Sequence, residues 1–334
     1  MAHELFGERY LNHRAPAWHG LGLTITDGRK LGACDAFKLM GEYDIRMEPL
    51  FMANGAAVER QAIVRNATSK GEAEAVLGTV GMEYRPIGPL ATCLAYDEAV
   101  GQPVETIGAL RDGAVLFITV KLPNWSVAGD DIEDYLLVVN PMDGLEAAQI
   151  VRSPVRVVCA NTLRLSRDLG AVQYKVRHND NAHTQLLEWL RQVYAGAVEK
   201  SAVIKEACEI LTTVKVSMSE ATPIIRDIYP DPKVPRNTAP TEVMKKRHEH
   251  REYLAEYAAV AREQVGLLFA GKGRGMDTPA AKGTAWGLYQ GVIEYEDYKW
   301  GKNATQAQES ALFGARADIK EAAFDRCMAL VNRG

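Results

Sequence analysis

The sequence predicts an α+β protein: an antiparallel β-meander sheet with a helix packed across it, followed by a mainly α-helical C-terminal part. Three observations carry this prediction. Two pairs of apolar runs flank turn chemistry, at Arg111-Asp112-Gly113 and at Pro141-Met142-Asp143-Gly144, and Asp-Gly between such runs is a strong hairpin signal. From Leu187 onward, apolar or small residues fall at Leu187, Leu190, Tyr194, Ala197, Ser201, Ile204, Cys208 and Leu211, spacings of three and four that make a heptad seam. Strand-like patterns are concentrated before residue 180, so the chain divides into an α+β core over 1–180 and a helical part over 181–334.

The elements follow in order. Tyr43 to Phe51, Gln61 to Asn66 and Ala75 to Tyr84 read as extended segments. Pro89 opens a helix to about Val100, because a first-turn proline sacrifices no intrahelical bond. Val104 to Leu110, Ala114 to Leu122, Tyr135 to Asn140 and Ala147 to Arg152 form the meander. After Pro154, Val155 to Arg167 is expected to be helical, and Ala171 to Arg177 to return as a strand. The heptad helix packs on a neighbouring helix of the same chain or of another subunit. Pro223, Pro230, Pro232, Pro235 and Pro240 predict a linker or mobile loop over 219–240, since proline at that density blocks regular structure. A helix starts near Thr241, with Leu254, Tyr257, Ala258, Ala261, Val265 and Leu268 on one face, and ends at Gly271 to Gly275. Thr278-Pro279 predicts the start of another. Along it Gly283, Gly287 and Gly291 form a bare ridge where a second backbone can approach, a candidate oligomer contact. Thr305-Gln306-Ala307-Gln308 is a capping-box pattern opening a last helix to about Val331.

Composition narrows the class. The chain has 334 residues, 47% hydrophobic and 25% charged, ordinary for a soluble globular protein. No apolar run approaches bilayer length, so no membrane partner is expected. The first residues lack a basic segment followed by an apolar one, so the cytoplasm is the expected compartment. Five widely spaced cysteines, with no C-x-x-C pair, argue against a disulfide framework and against a cysteine zinc site.

The net charge of −4 at first argues against a nucleic-acid partner, but the charge is unevenly spread. Residues 1–174 carry 16 basic and 22 acidic side chains, and residues 175–334 carry 23 and 21. Within 150–178, Arg152, Arg156, Arg164, Arg167, Lys175 and Arg177 face only Asp168. Lys245-Lys246-Arg247 is a second basic cluster, with His248, His250 and Arg251 beside it. Lys272 and Arg274, in a glycine-rich loop, are a third. These eleven basic residues are the candidate nucleic-acid contacts.

Catalytic chemistry is less visible. Gly271 to Gly275 fails the phosphate-loop pattern and follows no strand. His248 and His250 diverge on a helix, and zinc-protease spacing is absent. His178 and His183, with Asp180, read as turn and capping residues rather than ligands. There is no nucleophile elbow and no paired acid and base. No catalytic residue, metal or cofactor is therefore assigned, and an enzyme ranks third among the functional readings. Trp18 and His19 sit in an unusual Trp-His-Gly-Leu-Gly cluster, a candidate packing or oligomer contact.

Several blocks carry a resemblance. They are Ala17 to Gly22, Leu77 to Tyr84, Ser153 to Leu163 (the most specific), Gly283 to Tyr289, and Glu309 to Gly314. In this order they resemble the phage/plasmid-like protein family of mobile genetic elements, whose function is not assigned. The family usually has a Gln-Asn pair near the Arg-Pro-Ile stretch, where this chain has Ile87-Gly88. The family is remotely similar to RecT/Redβ-type single-strand annealing proteins. That similarity implies a hairpin-rich sheet with a helix across it, assembly into a ring or helical filament, single-stranded DNA as ligand, annealing without ATP, a phage or host nuclease or replication partner, and the host cytoplasm as location. The competing expectation is an oligomeric or partner-binding accessory protein, such as a counter-defence factor, without nucleic-acid activity.

Overall fold

The computed structural model describes residues 5–13, 22–152, 154–156, 161–162, 174–233, 241–299 and 315–331. The fold is α+β, with a large, mostly antiparallel sheet and a helical C-terminal part. The chain forms two compact units interleaved in sequence. The first comprises 1–123, 134–153 and 170–201; the second comprises 124–133, 154–169 and 202–334.

The meander lies at the centre of the sheet. Strands β6 (Thr106–Leu110), β7 (Val115–Val127), β8 (Asp130–Pro141) and β9 (Ala148–Arg152) are successive antiparallel neighbours. The first predicted turn holds: Arg111, Asp112 and Gly113 all have positive φ. That conformation suits the twist of a tight hairpin, and Asp and Gly accept it at low cost. β1 (Leu5–Asn12) pairs antiparallel with β6, and β2 (Leu23–Thr24) lies parallel to β1. β12 (Tyr174–Val176) closes on β9. A separate sheet holds β3 (Ile45–Phe51), β4 (Ala57–Arg65) and β5 (Ala75–Val80).

Helices cover one face of the first unit's sheet. Alternate strand residues, Ile107 and Ala109, Leu116, Ile118 and Val120, and Leu136 and Val138, share a core with α1 (Ala33–Gly41), α2 (Pro89–Val100) and the start of α3 (Ala182–Thr213). The period of two puts these residues on one side of the pleat. α2 begins at Pro89 and ends on Gly101 at φ 60°, as the sequence predicts. Asp97 of α2 accepts from the backbone N–H groups of Ala33 (2.6 Å) and Cys34 (2.9 Å), and so caps α1, which has no capping side chain of its own.

The heptad seam is used inside the chain. Leu190 and Ala197 are buried in the first unit, and Ile204, Cys208 and Leu211 in the second. The second unit contains α4 (Met218–Ile228), α5 (Thr241–Leu267), α6 (Ala285–Glu294) and α7 (Ala315–Val331). Within it Trp286 is fully buried and donates from Nε1 to Asp130 (3.2 Å).

Three expectations need correction. Among the described residues of Val155 to Arg167, the chain is extended: β10 (Val155–Arg156) pairs antiparallel with β11 (Asn161–Thr162) and with β8 at Ile132 and Glu133. The free edge of β8 and the β-branched Val155 and Thr162 favour pairing over a helix. Residues 219–228 are helical rather than loop. Ser217 and Glu220 make a reciprocal capping box, and Ala221, Ile224, Ile225 and Ile228 bury one face, which outweighs the bond lost at Pro223. The third helix starts at Ala285 and not at Thr278, because Thr284 is the cap, its hydroxyl accepting from the Gly287 N–H (3.1 Å).

Candidate nucleic-acid interface

The strongest candidate surface lies on the first half of α5. Lys245, Lys246, Arg247, His248, Glu249 and His250 are all exposed. An α-helix turns through 360° in 3.6 residues, so this stretch is bare on every side. Burial begins again further along, where Ala258, Ala261 and Val265 are covered. Lys245, Lys246 and Arg247 form no ion pair with a described residue. The helix therefore carries three cations that no described residue pairs.

An aromatic belongs to the same surface. Lys246, His250 and Tyr253 are spaced i, i+4 and i+7, which places them on one helix face. The rings of His250 and Tyr253 stack with centroids 6.5 Å apart, and Tyr253 is 53% exposed. Tyr253 was not among the sequence candidates, although its spacing from Lys246 and an exposed stacked ring are what a base-stacking platform needs.

A smaller basic surface lies on the first unit. On β12, Val176 points into the core and Tyr174 packs on Trp189 (centroids 5.0 Å), while Lys175 and the following Arg177 are exposed. Alternation thus sends both cations outward. A lysine on an edge strand also discourages edge-to-edge pairing.

The remaining candidates are placed elsewhere. Arg152 is withdrawn from the interface: it is 6% exposed, and its guanidinium is bound to the fully buried Asp134. It also donates to the Ala197 carbonyl (3.0 Å) and to Ser201 Oγ (2.6 Å). These bonds tie the end of β9 to α3, and burial keeps the guanidinium from a phosphate. Arg274 is engaged locally, lying over the Tyr298 ring (4.7 Å) and 4.0 Å from Glu294 Oε1. Lys272 is exposed at the end of a π-helical turn, Leu268–Lys272. Arg156 lies on β10. Arg164, Arg167, Trp18 and His19 lie outside the described residues.

The glycine ridge is a packing device of the second unit rather than a subunit contact. Every residue of α6 is buried. A Cβ on Gly287 would collide with the Ala281 carbonyl, and one on Gly291 would touch Phe269 N at 3.6 Å. Gly283 precedes the helix and supplies a positive φ of 63°. These glycines let the chain fold closely on itself.

Two other polar groups are structural. His178 is buried, and its Nδ1 accepts from the Ile87 N–H (3.2 Å); burial lowers its pKa to about 4 and keeps it neutral. Glu296 is enclosed. One of its oxygens accepts from the Tyr229 and Tyr257 hydroxyls, each at 2.7 Å, and burial raises its pKa. Among the described residues, no His, Cys, Asp and Glu group has the geometry of a metal site, and no helix is long and apolar enough to cross a membrane.

Fold and surface together define an α+β protein that displays a bare basic helix. Residues 76–316 match the domain of unknown function DUF932, and the chain belongs to that family. No curated protein and no solved structure matches it.

Proposed function

We propose that this protein binds single-stranded DNA and anneals complementary strands without ATP. The observation that carries the reading is the bare α5 stretch, where Lys245, Lys246 and Arg247 have no described ion-pair partner and a stacked aromatic pair continues the same face. Annealing forms no covalent bond. It requires phosphates to be held while bases stay free to find a complement, which cations and a stacking platform supply.

The protein acts as a homo-oligomer, a ring or a helical filament. From Lys245 to Tyr253 the helix rises only about 12 Å, enough for a few nucleotides, so a long strand needs the surface repeated by many copies. Kinship with RecT/Redβ-type annealing proteins and an origin on a phage or plasmid are part of this reading. The successive hairpins followed by a long helix agree with it, although that order also suits other α+β folds. A nuclease or replication protein of the element or its host is the natural partner.

The test is binding of a fluorescent single-stranded oligonucleotide across a salt series, run beside an annealing assay with two complementary strands. Affinity should fall steeply with salt, and replacing Lys245, Lys246 and Arg247 together by alanine should reduce the log–log slope by about 2. Absence of binding at low ionic strength would falsify the proposal.

A further inference from the structure

The first unit has a cationic cleft that owes nothing to the strand-binding surfaces. Its volume is ≈ 500 Å³, within the range of sites for small ligands. Four separate segments meet in it: His13 after β1, the turn bearing Arg29 and Lys30, the approach to β6 with Gln102 and Glu105, and Lys121 of β7. Three of these side chains are cations and one is a carboxylate.

His13 is held in a defined orientation at this cleft. Its Nδ1 lies 2.6 Å from the Val104 carbonyl oxygen. A carbonyl only accepts, so Nδ1 carries the hydrogen and donates. Nε2 is left with its lone pair, buried and without a hydrogen-bond partner among the described residues. Arg29 is positioned by its own turn, donating from its backbone N–H to Asp27 Oδ1 (3.1 Å) and from Nε to Asp27 Oδ2 (2.7 Å). Both partners of this pair are well exposed, so the contact is weak and does not consume the guanidinium.

We infer that this cleft binds a phosphomonoester. Arg29, Lys30 and Lys121 supply the positive field, and the His13 ring lines the same cleft beside them. The ligand is either a free nucleoside monophosphate or the phosphorylated 5′ end of a DNA strand. The inference does not rest on the strand-annealing reading, because it needs only the end of a strand or a free nucleotide.

The probes are inorganic phosphate, deoxythymidine monophosphate, and a short oligothymidylate with either a 5′ phosphate or a 5′ hydroxyl, titrated at low ionic strength. Binding is followed by calorimetry and by the His13 ring resonances, which His13→Gln identifies by their loss. Deoxythymidine monophosphate should bind and shift the His13 signals. Lys30→Ala with Lys121→Ala should weaken it at least about tenfold. The corresponding pair of arginine substitutions should largely restore it, and Lys38→Ala, elsewhere on α1, should leave it unchanged. If only the 5′-phosphorylated oligonucleotide displaces the nucleotide, the strand end is the ligand. If neither oligonucleotide does, the ligand is the free nucleotide. A 5′-hydroxyl strand that binds without displacing it supports the strand-binding reading separately. Phosphate and nucleotide that neither release heat nor move the His13 signals at millimolar concentration sink the inference, as does binding that survives the double alanine substitution.

Discussion

Arg152 at the end of β9 and the Lys245–His250 stretch of α5 are made from the same kind of side chain and do opposite things. Arg152 is enclosed and bonded to Asp134, Ala197 and Ser201. Its charge is spent on holding strand to helix, and truncation of either partner would strand a buried charge. The α5 residues stand in water with nothing described to pair them. They contribute little to folding and remain available to a polyanion. A basic cluster in a sequence is therefore not yet a surface. The environment of each cation decides whether it stabilises the fold or seeks a ligand.

The largest test of this contrast is Arg152→Ala. It should cost about 3–5 kcal/mol of unfolding free energy, measured by urea titration, because Asp134 stays buried and unpaired. Arg152→Met with Asp134→Leu should be much closer to wild type. Neither variant should alter the DNA affinity of the molecules that remain folded. Equal losses for the single and double variants would show that packing, rather than charge, makes this site.

Acid should act on the interior first. Burial lowers the folded-state pKa of His178 from 6.5 to about 4, so the unfolded chain binds the extra proton in between, and the stability due to keeping it neutral is lost as pH falls through that window. The Arg9 guanidinium holds Glu72 down from 4.5 to about 2. That stability is present above 4.5 and is lost on further acidification towards 2. In thermal melts at successive pH values, His178→Gln should flatten the upper part of the acid limb and Glu72→Gln the lower part. A limb unchanged in both variants would assign acid lability to other groups.

Packing of the second unit gives a sharper, smaller contrast. Gly287→Ala should cost about 1–3 kcal/mol by overpacking against the Ala281 carbonyl. Gly291→Ala meets only ordinary contact distances. It should be neutral, or stabilising by up to about 1 kcal/mol through helix propensity. Equal costs at both positions would place the close approach elsewhere on α6.

The smallest effect on stability belongs to the bare helix. Replacing Lys245, Lys246 and Arg247 by alanine should move the unfolding free energy by no more than about 0.5 kcal/mol while flattening the salt dependence of DNA binding. Tyr253→Ala should weaken single-strand binding by about 1–3 kcal/mol, read as affinity in the same assay, with little change in the salt slope. A triple variant that unfolds would mean that these cations are structural after all.

Much of the fold was legible because its signals are local. The Asp-Gly turns, Pro89 and the spacing from Leu187 each act within a few residues, and β6 to β9, α2 and α3 follow them. The α4 helix was hidden because Pro223 speaks louder than a serine cap six residues earlier, although the apolar spacing Ala221, Ile224, Ile225 and Ile228 was there to be read. At Val155, the missing information was the edge of β8 twenty-odd residues earlier in the chain. The candidate interface was half legible. Lys245 to Arg247 stood out as a cluster, but their exposure did not, and Tyr253 gained meaning only once its face was known to be open.

By itself the sequence determined the fold class, the central hairpins, the long amphipathic helix and the positions of the basic clusters, since propensity, turn chemistry and periodicity are properties of neighbouring residues. Only the tertiary structure decided that Arg152 is a strut, that the glycine ridge packs inward and that His13, Lys30 and Lys121 meet at one cleft. Those facts depend on which distant segments share a surface, and burial and charge pairing are set there.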